Sequence, residues 1–170
     1  MSDHPGEPPI EELERRMRPG AFSRSGFLGP GERLADVLES DRRTLAALGF
    51  STHQMAERLD ALITAAEATP GRLARVDDRY DVAVELYTGF QICPWALEPD
   101  SGQCTAAGGV RHGSIDWRIR NLQSGEELRG PGLIVHLIRA HDFFEGRQSP
   151  ARVDPVALAR TLGMSRGPDE

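Results

Sequence analysis

Two cysteines and two histidines set the chemistry this sequence can do. Cys93, Cys104, His136 and His141 run as Cys-x10-Cys-x31-His-x4-His, and they include both cysteines of the chain. Thiolate sulfur and imidazole nitrogen are the ligands zinc prefers, and four of them complete a tetrahedral closed site. Pro94 follows Cys93 directly, as a proline often follows the first cysteine of a zinc knuckle. The four residues are therefore the expected ligands of a Zn2+ ion.

The stretch "GLIVHLIRAHDFFEG" places both histidines in an apolar run with helical spacing. At 100° per residue they stand about 140° apart on a regular helix. With Leu133 at zero, Ile134, Leu137, Ile138 and Phe144 fall within about 140° and define the buried face. His141 falls near the middle of that face and His136 at its border. Gripping one ion then requires the helix to loosen its last turn ahead of Gly146, a ready stop.

A strand-loop-strand supplying two sulfurs and a helix supplying two nitrogens resembles the Cys2His2 zinc finger in ligand type and order. In that family the cysteines lie about two to four residues apart and about twelve residues before the histidines. Both gaps are far longer here, so the resemblance stops at ligand type and order.

The same residues also fit readings without metal. A histidine on an apolar face is often a core residue bonded to a backbone carbonyl, and free cysteines are often small buried hydrophobes. A Cys93–Cys104 disulfide is a further alternative, disfavoured in a reducing compartment. His112, in "GVRHGS", is the substitute ligand if one of the four is wrong; His53 and His4 have no partners in sequence.

Four protein ligands fill the coordination shell, which makes the expected role structural rather than catalytic. The expected function is a binding or regulatory protein with an unknown protein or small-molecule partner, more an interaction module than an enzyme. The enzymatic alternative is a zinc-dependent hydrolase using three of the ligands plus water, with Asp142 or Glu145 as the nearest general base. Neither the His-Glu-x-x-His metalloprotease pattern nor the zinc-deaminase signature is present.

Composition narrows the field further. All 20 basic residues are arginine, as a GC-rich, bacterial-type genome would give. The absence of lysine removes Schiff-base catalysis and the Gly-Lys-Ser/Thr phosphate loop. No Gly-x-Ser-x-Gly context surrounds a serine. A net charge of −6 argues against a general nucleic-acid binder. Arg111, Arg118 and Arg120, with Trp95 and Trp117 in the same region, are a candidate contact for an anionic ligand. No apolar run reaches the ~18 residues of a membrane helix, and the N-terminus lacks a basic-then-apolar signal pattern. The expectation is a cytoplasmic protein.

The elements that position these residues are legible as an α+β fold. Breaker-rich residues 1–31 predict a flexible or draped N-terminal arm, which Phe22 and Phe27 can pin to the domain. Residues 32–163 predict a single domain. Within it, 32–68 form a helical hairpin, with Gly49 between the helices and a Ser51/Gln54 capping box. "LGFSTHQMAERL" there has the outline of a helix-turn-helix, giving a DNA-associated regulator as a third reading. The second helix, however, offers Glu57, Asp60 and Glu67 beside one Arg58.

Residues 72–146 predict a zinc-type ββα region. Alternation in "YDVAVELYTGFQICPW" and "SIDWRIRN" marks two antiparallel strands, with "RLARV" as a third. "SGEELRGPG" reads as a turn-rich connection into the helix of the histidines. Residues 149–163 predict a C-terminal helix with Asp154 as N-cap and Pro155 at its first position, and 164–170 a tail.

Overall fold

A computed structural model of the chain describes residues 6–98, 100 and 103–164. His4 and residues 165–170 of the expected tail lie outside the described residues.

Helix α1, Ile10–Met17, turns Leu13 and Met17 into the core, and Phe27 and Leu28 follow them there. Helix α2, Leu34–Leu48, buries Leu34, Val37 and Leu45. It stops at Gly49, whose φ of 77° is the left-handed conformation that ends helices without a Cβ penalty. Helix α3, Thr52–Glu67, starts from the expected capping box. The Gln54 N–H donates to Ser51 Oγ at 3.1 Å, and the Ser51 N–H donates to Gln54 Oε1 at 2.9 Å. From there the two helices take different partners: α2 packs on the C-terminal helix, and α3 on the sheet and on the helix of the histidines.

The sheet has four antiparallel strands in the order β1 (Leu73–Val76), β2 (Tyr80–Leu86), β3 (Ile115–Asn121), β4 (Glu127–Pro131). Period-two alternation sends Tyr80, Val82 and Val84 of β2 inward, and Ile115, Trp117 and Ile119 of β3 beside them. The β2 pattern fails where the strand ends. Leu86 is 63% exposed and Phe90 54%, so the buried alternating face stops at Val84.

β4 is the element the sequence reads as a turn. Among the described residues it pairs only with β3, so its proline and glycine meet the milder demands of an edge strand. Gly130 lies where an added Cβ would stand 2.8 Å from the Trp117 ring. Helix α4, Leu133–His141, follows β4 at once, and α5, Pro155–Thr161, is the last helix of the described residues, starting from its Asp154 N-cap. This is an α+β fold, with helices before a small antiparallel sheet and a later helix carrying both histidines. No helix among the described residues is long and apolar enough to cross a membrane.

Candidate metal centre

Cys93 sits in the long excursion between β2 and β3, in a tight turn closed by the Ala96 N–H donating to Cys93 O at 3.0 Å. The turn is held from outside. Arg16 of α1, 8% exposed, donates from Nη1 to Pro94 O at 2.8 Å and to Ala96 O at 2.7 Å. Cys104 lies further along the same excursion, just before a short 3-10 turn, Ala106–Gly108. Both thiols are free and buried.

The histidines come from α4. His136 is 3% exposed, because the loop around Gly109 covers it. His141 is only half-buried, the reverse of what the helical wheel implies. A wheel sees one helix and not the loop folded over it. The helix does not loosen before its end: the Asp142 N–H still donates to Ile138 O at 3.2 Å, and the left-handed turn, φ 54°, comes only at Asp142, after His141. The two rings nevertheless come together from a regular helix end, which a wheel separation of about 140° does not anticipate. Their ring centroids lie 5.2 Å apart.

The four ligand atoms of Cys93, Cys104, His136 and His141 all lie within 4.8 Å of one another, a buried group able to hold a metal ion. His141 Nε2 stands 3.4 Å from Cys93 Sγ and 3.5 Å from Cys104 Sγ. His136 Nδ1 lies 3.0 Å from Gly109 O. A carbonyl only accepts, so Nδ1 carries a proton, the tautomer whose lone pair, in a metal-binding ring, is on Nε2. That Nε2 is buried and has no hydrogen-bond partner.

The two sulfurs differ. Burial first, and then the neighbouring Cys104 sulfur, push the Cys93 thiol well above its ordinary range. The hydrogen bond with Cys93, and then the two imidazoles beside it, hold Cys104 toward the thiolate, against its own burial. Backbone N–H groups of Trp95 and Ala96 at Cys93, and of Ala106 at Cys104, favour negative sulfur. Trp95 also stacks on His141, with centroids 4.1 Å apart and planes at 5°.

His112 does not substitute for any of the four. Its Nε2 is 2.5 Å from Asp60 Oδ1 and its Nδ1 2.5 Å from Glu67 Oε1, both on α3. Arg111 also binds Asp60, and Arg139 of α4 reaches Asp60 Oδ2 and Glu57 Oε1 at 2.8 Å each. Burial works to raise the Asp60 pKa, but the bonds from His112 and Arg139 outweigh it and hold the carboxyl below the usual range. This network ties both the Cys104 loop and α4 to α3. Of the acidic residues of α3 it buries only Asp60; Glu57 stays exposed.

The other sequence candidates scatter. Trp117 is buried, donating from Nε1 to Pro131 O at 2.9 Å, and Trp95 stacks on His141, while Arg118 and Arg120 lie exposed on the outer face of β3. Of the carboxylates nearest the histidines, Asp142 accepts from Thr52 Oγ1 at 2.6 Å and Glu145 from Ser149 Oγ at 2.5 Å. Sequence reasoning missed Arg16 and the Gly109 carbonyl, and placed Trp95 with the arginines and not with the metal ligands. Only Trp95, two residues after Cys93, had a local signal. No family model, no curated protein and no solved structure matches the chain.

Proposed function

We propose that Cys93, Cys104, His136 and His141 hold one Zn2+ ion with a structural role, in a binding or regulatory protein. The observation that carries this reading is His136 Nε2, a lone pair buried without a partner beside two cysteine sulfurs. An unpaired buried polar atom costs on the order of 1–3 kcal/mol, and a metal ion removes that cost. The donor set supports zinc among metals. With Zn–S near 2.3 Å and Zn–N near 2.0–2.1 Å at tetrahedral angles, sulfur and nitrogen ligands stand about 3.5 Å apart. The 3.4 and 3.5 Å separations of His141 from the two sulfurs fit that spacing.

Two soft sulfurs and two imidazoles leave no position for water, so the ion's contribution is folding energy. It fastens the β2–β3 excursion to the end of α4. The three-ligand hydrolase has less support, because Asp142 and Glu145 are both engaged elsewhere. The test is metal analysis of protein purified without chelators, paired with Cys93→Ser and His136→Ala. Zinc bound one to one in the native chain and lost from both variants supports the site. Native protein without zinc removes it.

A further inference from the structure

Metal-binding histidines almost always pass their second ring N–H to an acceptor that fixes the ring. His136 does so, through Nδ1 to Gly109 O. His141 does not. Its Nε2 faces the sulfurs, and its Nδ1 has no protein partner among the described residues. With a metal on Nε2, the proton of the neutral ring must sit on Nδ1, so the loaded site presents an unclaimed N–H donor.

His141 also lines a cavity of about 360 Å³ between α2 and the start of α3. Leu38, Leu45 and Phe50 give it an apolar wall, and Arg42 stands at its rim. Arg42 binds Glu39 through Nη1 only, at 2.9 Å, and keeps its other donors. Ser51 and Thr52, where α3 begins, complete the wall and set the positive end of that helix beside the space. The one acidic residue of the lining, Asp142, is engaged by the Thr52 hydroxyl.

We propose that this cavity binds a small carboxylic acid with an apolar body. Its carboxylate accepts from His141 Nδ1 and from Arg42, and its tail lies against Leu38, Leu45 and Phe50. The inference rests on the metal reading, since it is the ion on Nε2 that sets the Nδ1 proton. Ligand binding would then complete the outer shell of the metal and couple the cavity to the site.

The test uses the full chain, its zinc content measured on the same sample, and octanoate as the probe. Three readouts follow the titration: tryptophan emission, because Trp95 stacks on His141; the ring N–H signal of histidine-labelled protein; and the visible spectrum of the Co2+-substituted form. The expected result is a saturable shift in all three, with octanamide at least about tenfold weaker. Arg42→Glu should weaken octanoate by about tenfold or more. Ala46→Trp, an exposed position on the cavity rim, should block it, and both variants should keep their zinc. A zinc-loaded chain that shows no shift with octanoate up to about 10 mM overturns this inference and leaves the metal reading standing. Equal binding of acid and amide, or binding indifferent to both substitutions, also overturns it. A chain without metal overturns the metal reading, and this one with it.

Discussion

An imidazole nitrogen buried without a partner penalises the fold until something binds it, and His136 Nε2 is such an atom. His136→Leu should therefore behave differently with and without metal. In excess chelator it should cost about 1 kcal/mol or less, since the lost Gly109 bond is offset by removing an unsatisfied nitrogen. In zinc it should cost several kcal/mol more, because the wild type alone gains metal-linked stability. Denaturant midpoints in both conditions check this, and an equal cost in both contradicts it. Asp60 poses the complementary case, a buried carboxylate with His112, Arg111 and Arg139 around it. Asp60→Ala should destabilise the chain by about 1–3 kcal/mol, since His112 and Arg139 each lose one partner and keep only Glu67 and Glu57. A loss under about 1 kcal/mol would show that the network is solvated.

At the scale of elements, the segment after α4 carries a second buried acid. Glu145 is 3% exposed in a left-handed conformation, φ 67°, and burial lifts its pKa to about 7 despite the opposing Ser149 bond. Because the folded-state value lies above the unfolded one, the folded state holds this proton more tightly. The contribution is complete below about pH 4.5 and is lost as pH rises toward 7. Glu145→Gln should flatten that decline and stabilise the chain at pH 8 by roughly 1–3 kcal/mol. Chemical denaturation at pH 5 and pH 8 measures it, and an unchanged pH slope refutes it.

The helices and the inner strands were readable from local pattern. Caps at Ser51 and Asp154, the stop at Gly49 and the alternation of Ile115, Trp117 and Ile119 all act within a few residues. β4 was not, because Gly130 and Pro131 signal a turn unless the Trp117 ring is known to need the space. The burial of His136 was not either, since the loop that covers it lies about thirty residues earlier in the chain.

At the scale of the molecule, the site joins parts that sequence cannot place together. Arg16 of α1 holds the Cys93 turn, α3 holds the Cys104 loop through His112, and Arg139 ties α4 to α3. The residue types at the centre were visible, because four soft ligands in finger-like order stand out in any chain. The shell around them was not, because each contact closes a loop of dozens of residues. Metal removal should therefore loosen more than the four ligands. A chelator is expected to lower the melting temperature by about 5 °C or more and to expose the backbone around Cys93, Cys104 and α4 to hydrogen exchange. Exchange unchanged by the chelator contradicts a structural role.

The central claim is one zinc ion on Cys93, Cys104, His136 and His141, and X-ray absorption of the zinc in natively purified protein tests it most directly. The expected spectrum shows one zinc per chain with two sulfur neighbours near 2.3 Å and two imidazole nitrogens near 2.0–2.1 Å. Zinc seen only by oxygen ligands, or a chain that binds none and joins Cys93 to Cys104 as a disulfide, contradicts it.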